Sequence, residues 1–193
     1  AQAWAALAEA QVLLPAYTLA PAQPAYARSL DAARRALALD PDLPLAYVAR
    51  GIVYTNQTHW ADADTAFKRA LALAPDDAEA MDQYAQFLNA IGQLEPALAE
   101  IDRALQRDPL YGVNGAVRAE LLLALHHDQA ALKQIEATLA AHPDGVFEHR
   151  SAILTYIALH RHADAERQAR LASALNHADP DVMGLLIHGI SDP

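Results

Sequence analysis

Four prolines recur at a fixed interval, and this period constrains the fold more than any other feature of the sequence. Pro41, Pro75, Pro109 and Pro143 follow one another at steps of 34 residues, and three of them follow an Ala-Leu pair. A proline interrupts a helix because it lacks an N–H donor and because its ring disfavours helical backbone in the preceding residue. The interval therefore predicts a repeated unit in which one helix ends at the same point each time.

Each unit contains two helical patterns. Between residues 61 and 75, apolar side chains such as Ala63 and Phe67 recur at spacings of three and four, which is typical of a helix with one apolar face. A second helical pattern covers residues 45–55, and the polar residues 56–59 between the two patterns predict a turn. We expect a pair of antiparallel helices in each unit, which buries its apolar faces only by stacking on neighbouring units.

The units resemble the tetratricopeptide repeat (TPR), a helix-turn-helix family with the same period. In residues 44–77, the characteristic positions of the family are occupied by Gly51, Tyr54, Ala63, Phe67, Ala70 and Pro75. The resemblance implies an all-α fold, namely a right-handed superhelical solenoid of about five TPR units with a C-terminal capping helix. The units would cover residues 1–43, 44–77, 78–111, 112–145 and 146–179, and the capping helix would cover about 180–190.

Two segments depart from the regular pattern. Residues 13–24 contain three prolines, so we expect a long turn between the two helices of the first unit, and not helix. This insertion is either a tolerated surface loop or a recognition loop that presents Tyr17 and Leu19. Gly112 and Gly115 lie where the first helix of the fourth unit should begin, and their low helix propensity predicts a late or frayed start.

The resemblance also implies a partner-binding groove. In this family the first helix of each unit lines a concave surface, and positions 2, 5, 9 and 12 of the unit share one face of that helix. The expected groove residues are Val48, Ile52, Asp82, Gln86, Asn89, Glu120, Leu123, Arg150 and Leu154. An extended or helical peptide with apolar anchors and a basic group would fit this mixture of side chains. Each residue could instead be ordinary helix surface or pack between units.

One subtype of groove is not expected. The chaperone-tail clamp of the family holds a carboxylate with Lys, Arg and Asn side chains from the groove. The corresponding positions 5 and 9 of the first three units are Ala5, Glu9, Val48, Ile52, Asp82 and Gln86. None of these side chains is basic, so we reject a clamp for carboxylates.

Histidines in two turns are the candidate metal ligands. His126 and His127 lie in the turn of the fourth unit, and His160 and His162 lie in the turn of the fifth. Stacked units bring such turns near one another, and imidazoles bind zinc, nickel or copper. Nothing in the pattern directs these side chains toward a common point, so we expect solvated turn histidines and no metal.

The composition excludes several classes of function. The chain has no Cys, which excludes disulfides, thiolate zinc sites and Cys nucleophiles. It has 24 acidic and 14 basic residues, so nucleic acid and anionic membrane surfaces are not expected partners. The apolar run 121–125 is far too short for membrane insertion. The sequence has no Gly-rich phosphate loop and no hydrolase or metalloprotease motif, so we expect neither catalysis nor a cofactor.

We interpret the chain as a protein-interaction scaffold that is part of a larger protein. It does not begin with Met, and residues 36–51 and 61–75 resemble TPR regions of bacterial signalling proteins, which implies a bacterial regulator. Two alternatives stay open: a self-assembly module that forms homodimers through end helices near Trp4 and Leu7, and a ligand- or metal-sensing region. The compartment is unknown from sequence; the cytoplasm is slightly favoured, with the periplasm as the alternative for a membrane-tethered parent.

Overall fold

The computed structural model describes residues 1–17 and 21–176, and these residues form ten α-helices and no β-strand. The helices are α1 (Gln2–Tyr17), α2 (Ala22–Leu39), α3 (Pro44–Asn56), α4 (Trp60–Leu73), α5 (Ala78–Ala90), α6 (Leu94–Arg107), α7 (Gly112–Ala124), α8 (Asp128–Ala141), α9 (Val146–Ala158) and α10 (His162–Asn176). The predicted all-α helical repeat is therefore confirmed. The expected capping helix at about 180–190 lies outside the described residues.

Consecutive helices pack as pairs. Each odd-numbered helix, which we call an A helix, packs along the even-numbered B helix that follows it. The chain divides into two compact units: the N-terminal unit, Ala1–Arg107, contains α1–α6, and the C-terminal unit begins at Asp108 and contains α7–α10. A helices also pack side by side, α3 against both α1 and α5 in the N-terminal unit, and α7 against α9 in the C-terminal unit.

The prolines of the period end the B helices, as predicted. Each lies two residues beyond the last residue of a B helix, and those last residues are Leu39, Leu73, Arg107 and Ala141. A helix cannot continue through this position because the proline has no N–H for the next hydrogen bond. The next A helix begins three residues after each proline.

The turns from A to B helices repeat one backbone geometry. Four turns each hold one residue with positive φ, and these residues are Thr58 (60°), Gly92 (77°), His126 (60°) and His160 (56°). The next residue donates its N–H to a carbonyl in the last turn of the A helix, as His59 does to Tyr54 and His127 does to Leu122. This is the Schellman motif, which satisfies carbonyls that a helix end leaves unpaired.

The N-terminal unit is packed by two kinds of side chain, small alanines and large aromatic rings. Helices α1, α2 and α3 share a buried cluster of alanines, which lets the helices approach closely: Ala5, Ala8, Ala32, Ala33, Ala36, Ala46 and Ala49. Phe67, Tyr84 and Phe87 fill the space between α4 and α5, with ring centroids 5.7 to 5.9 Å apart. Each such ring pair contributes about 1 kcal/mol beyond the area it buries.

The predicted long turn at 13–24 is wrong over most of its length. Helix α1 continues to Tyr17 with Pro15 inside it, and α2 begins at Ala22. Pro15 lies near the end of α1, where it removes a single hydrogen bond, and Pro24 lies in the first turn of α2, where an N–H would have no partner within the helix. Prolines near helix ends are therefore compatible with helix. Residues 18–20 and the side chain of Tyr17 lie outside the described part, so the proposed recognition loop stays a prediction.

The predicted late start of the fourth unit is also wrong. Helix α7 begins at Gly112, and both Gly112 and Gly115 are buried. A Cβ atom on Gly112 would overlap Glu148 of α9, and one on Gly115 would overlap Thr138 of α8. The glycines are present because neighbouring helices pass too close for a side chain, and this packing overrides their low helix propensity.

Candidate functional site

The A helices of the N-terminal unit pack side by side. Helix α3 packs between α1 and α5, and Glu9 of α1 lies near enough to Glu79 of α5 to raise the pKa of Glu79. We call the predicted groove positions of these three helices the inner face; four of them, Ala5, Val12, Val48 and Asp82, are buried, and the others are Gln2, Glu9, Leu45, Ile52, Thr55, Glu79, Gln86 and Asn89. Side chains that are distant in the sequence therefore meet on it.

Two of the predicted groove residues belong mainly to the core. Val48 is 2% exposed, and Ile52 is half-buried against the cluster formed by Val12, Tyr26 and Val53. Both residues belong to α3, which packs against α1 on one side and α5 on the other. Replacing Val48 with a charged residue would therefore disturb folding before it disturbed binding.

Helix α5 contributes buried and half-buried polar side chains to the inner face. Asp82 is 1% exposed, and its Oδ2 atom accepts a hydrogen bond of 2.9 Å from Nε2 of Gln86, while its Oδ1 atom has no partner among the described residues. Gln86 and Asn89 are half-buried. Asp77 is the N-cap of α5 and accepts hydrogen bonds from the N–H groups of Glu79 and Ala80.

Two carboxyl groups on α5 have raised pKa values. Burial raises the pKa of Glu79 to about 7, with further contributions from the hydrogen bond with Glu9 and from the negative charges of Glu9, Asp77 and Asp82. Burial also raises the pKa of Asp82 to about 6, and the hydrogen bond from Gln86 opposes this effect. Asp82 is the buried one of these two residues, whereas Glu79 is exposed.

The remaining predicted groove residues lie in the C-terminal unit. Glu120 of α7 accepts a hydrogen bond from the Ser151 hydroxyl of α9, and Leu123 is half-buried. Arg150 is exposed, with its guanidinium 4.8 Å from the ring centre of Phe147, and Leu154 is 51% exposed. The structure therefore joins Glu120 to α9 and leaves the side chains of Arg150 and Leu154 open to solvent.

Comparison with known proteins identifies the fold. The family profile of the tetratricopeptide repeat matches residues 44–77. The structure is similar to a thermophilic TPR protein of Thermus thermophilus with a TM-score of 0.81, at 19% sequence identity, covering 97% of this chain and 98% of that one. The chain has the tetratricopeptide-repeat fold.

Two further TPR-like structures show the same fold. One is PilW, a type IV pilus biogenesis factor (TM-score 0.73, 20% identity, 95% of this chain and 85% of that one). Another is YrrB, a TPR protein with an unusual peptide-binding site (TM-score 0.59, 21% identity, 85% of this chain and 84% of that one). No curated protein sequence matches the chain. Within the described TPR helices, none is long and apolar enough to cross a membrane.

Three of the four candidate metal ligands lie in TPR turns, and the fourth, His162, is the first residue of α10. His126 and His160 have the positive φ of the Schellman turn, His127 precedes α8 as its N-cap, and His162 lies with its ring centre 6.2 Å from that of His160. In residues 1–17 and 21–176, no three His, Asp or Glu side chains converge as a metal site would require. The turn geometry accounts for where these histidines lie.

Sequence reasoning missed a second surface of the N-terminal unit, away from the inner face. A cavity of about 470 Å³ lies between α2 and α3, and one of about 260 Å³ lies between α3 and α4; Arg50 and Tyr54 line both. The Arg50 guanidinium is 6.0 Å from the ring centre of Tyr47 and 5.6 Å from that of Tyr54. The sequence marks Tyr54 as a characteristic TPR position, and it does not show that the ring borders open space.

Proposed function

We propose that this chain is a non-catalytic protein-interaction scaffold whose N-terminal unit binds an extended peptide segment on the inner face. The observation that carries the proposal is the packing of α3 against both α1 and α5, which sets three A helices side by side. A segment lying across three helices contacts many side chains at once, which a single exposed helix cannot offer.

The side chains of the inner face suit a peptide. Thr55, Gln86 and Asn89 are half-buried polar groups, and amide side chains can both donate to and accept from a peptide backbone. Leu45 and Ile52 are half-buried apolar groups that can receive an apolar side chain. The similarity in fold to YrrB, a protein described as having a peptide-binding site, also supports this proposal.

A phage-displayed library of random 12-residue peptides tests the proposal. Peptides selected on the chain should bind the variant Asn89→Trp, which fills the inner face, about tenfold or more weakly in fluorescence anisotropy. The control Ala99→Trp places the same bulk on an exposed position of α6 and should bind them unchanged. Equal binding by both variants, or a library without enriched peptides, would rule the proposal out.

Self-assembly is a second candidate because the outer side of the first helix pair is open. A cavity of about 420 Å³ there is lined by Trp4, Leu7 and Arg35 among others, and Leu7 is 41% exposed. If copies pair through this side, sedimentation velocity should show a dimer that Leu7→Glu converts to monomer. A monomer at all concentrations would exclude this candidate.

The place of the chain within a larger bacterial regulator is a separate proposal. It rests on the resemblance of residues 36–51 to TPR regions of bacterial signalling proteins. Reading the source gene on both sides of this segment checks it. A winged-helix, cyclase or kinase domain in the same reading frame is the expected finding, and a reading frame without one contradicts the proposal.

A further inference from the structure

Arg50 occupies a repeat position that the TPR pattern gives to leucine. In the pattern W-x2-L-G-x2-Y the leucine directly precedes the glycine, and in residues 44–77 the residue before Gly51 is Arg50. The corresponding residue of the next unit is Tyr84, whose ring packs against two phenylalanine rings at centroid distances of 5.9 Å. An aromatic ring thus fills the space beside α5, whereas the same position of α3 carries a cation.

The space around Arg50 is open on two sides. The cavity of about 470 Å³ between α2 and α3 and the cavity of about 260 Å³ between α3 and α4 adjoin, because Arg50 and Tyr54 line both. Helical spacing places these two side chains on the opposite side of α3 from Val48 and Ile52 of the inner face. We call this surface the Arg50 groove, and it is formed by Leu30, Leu37, Arg50, Tyr54, Ala66 and Arg69.

The Arg50 guanidinium is held in place but is not neutralised. It lies 5.6 Å from the ring centre of Tyr54 and 6.0 Å from that of Tyr47, and it donates a hydrogen bond of 3.3 Å to the Tyr54 hydroxyl. None of the ion pairs within residues 1–17 and 21–176 includes Arg50. A guanidinium has five N–H donors in a fixed plane, so most of them remain for a bound acceptor.

The charged groups that border the groove do not supply this acceptor. Asp31 of α2 is paired with two arginines of its own helix. Asp62 of α4 is exposed and forms no ion pair with Arg50, although both line the smaller cavity. Arg69 is already paired with Asp42, at 2.6 Å. Arg50 is therefore the cation of the groove whose charge the described residues leave open.

We propose that the Arg50 groove binds a segment of a partner protein that presents one Asp or Glu side chain to Arg50. A carboxylate and a guanidinium form two parallel hydrogen bonds, which fix orientation as well as add affinity. Leu30, Leu37 and Ala66 offer apolar surface to the residues on either side of that carboxylate. Arg and Tyr are also enriched among the residues that dominate binding at protein interfaces.

The net charge of the chain narrows the chemistry of this partner. At −10, the chain as a whole repels a strongly acidic segment. A segment with a single carboxylate between apolar residues gains the contact with Arg50 without that repulsion. The groove is a second interaction surface, and its use does not depend on the inner face.

The test uses peptides from the 12-residue library that bind the chain and fail to bind the variant Arg50→Leu. This variant restores the residue of the TPR pattern and removes a half-buried charge, so it should melt at the parent's temperature or above. The selected peptides should share an Asp or Glu at one position between apolar residues. In isothermal titration calorimetry, Arg50→Leu and the amide analogue of that peptide residue should each weaken binding about tenfold or more, and the two together should cost little more than one.

Three control variants define the surface that these peptides use. Arg103→Met removes the same charge from α6 and should leave their binding unchanged. Asn89→Trp, which fills the inner face, should also leave it unchanged. Asp62→Asn removes the negative charge nearest to the expected carboxylate and should tighten binding by about twofold.

Several results would overturn the proposal. One is the absence of peptides that need Arg50, and another is a set that needs Arg50 but shares no carboxylate. A loss of binding in Asp62→Asn as large as that in Arg50→Leu would identify the bound group as a cation. The amide analogue is measured on the unaltered chain, so its result does not depend on the stability of any variant. Peptides that Asn89→Trp weakens leave the proposed function of the inner face standing in each case.

Discussion

At the scale of single residues, the turns hold the least expected feature. Thr58, Gly92, His126 and His160 share a left-handed backbone conformation, and only one of them is glycine. This conformation brings Cβ close to neighbouring backbone atoms, which raises the energy of every residue except glycine. The chain therefore tolerates strain in three turns, because the Schellman hydrogen bonds and the packing of the flanking helices hold them in place.

Substitution at two of these turns should move stability in opposite directions. Thr58→Gly should raise the free energy of unfolding by about 1 kcal/mol, and Gly92→Ala should lower it by about the same amount. A Cβ on Gly92 has no atom within 4 Å, so the cost there comes from the backbone alone. Urea denaturation measures both changes. Thr65→Gly, in the middle of α4, is the control and should be destabilising.

Asp82 makes stability depend on pH. Its pKa is about 6 in the folded chain and 3.8 without its surroundings, so the folded state binds the proton more tightly. Stability should therefore fall as the pH rises from about 4 to about 6, by roughly 3 kcal/mol. The side chain that the substitution Asp82→Asn introduces cannot ionise, so the variant should be more stable than the parent at pH 8. The difference between their free energies of unfolding should shrink toward zero near pH 4. If urea titrations give the same difference in free energy of unfolding at pH 4 and pH 8, the pH dependence does not come from Asp82.

At the scale of helices, close approach decides more than helix propensity does. Gly112 and Gly115 lower the intrinsic stability of the first turn of α7, yet the helix begins there. Each glycine faces a side chain that would collide with a Cβ atom, namely Glu148 and Thr138. At Gly115 the neighbour is the stiff side chain of Thr138, whereas at Gly112 the nearest atom is the end of the flexible Glu148 side chain, so a methyl group is accommodated less easily at Gly115.

The substitution Gly115→Ala separates the effect of helix propensity from the effect of close helix approach. Helix propensity alone would make it stabilising by about 1 kcal/mol, whereas overlap with the stiff, β-branched Thr138 should make it destabilising by about 1–3 kcal/mol. We expect the second result in urea denaturation. The double variant Gly115→Ala with Thr138→Ala makes room for the added methyl group. Its decrease in free energy of unfolding should therefore be smaller than the sum of the decreases in the two single variants. A more stable Gly115→Ala variant would show that α8 can move away.

At the scale of the whole molecule, the N-terminal unit has packed clusters of its own. Helices α1–α6 hold the alanine cluster and the rings of Phe67, Tyr84 and Phe87, and the inner face lies entirely within them. Repeat proteins gain stability from contacts between neighbouring units, so a block of three helix pairs can be stable without further repeats.

The fragment 1–107 should therefore fold by itself. We expect a helical circular dichroism spectrum, one cooperative urea transition and unchanged affinity for the peptides that the whole chain selects. The fragment 1–90 lacks α6 and leaves the apolar side of α5 uncovered, so its transition should be broad or its solubility poor. A fragment 1–107 without a cooperative transition would mean that its stability depends on the rest of the chain.

The sequence by itself determined the period, the helix type and the ends of the B helices. These follow from Pro75 and its counterparts and from apolar spacing, which act within one or two turns of backbone. Only the tertiary structure decided that Val48 is core, that α7 begins at Gly112 and that Glu9 lies near Glu79. Those outcomes depend on which helix faces come together and how closely, and residues far apart in the chain set that distance.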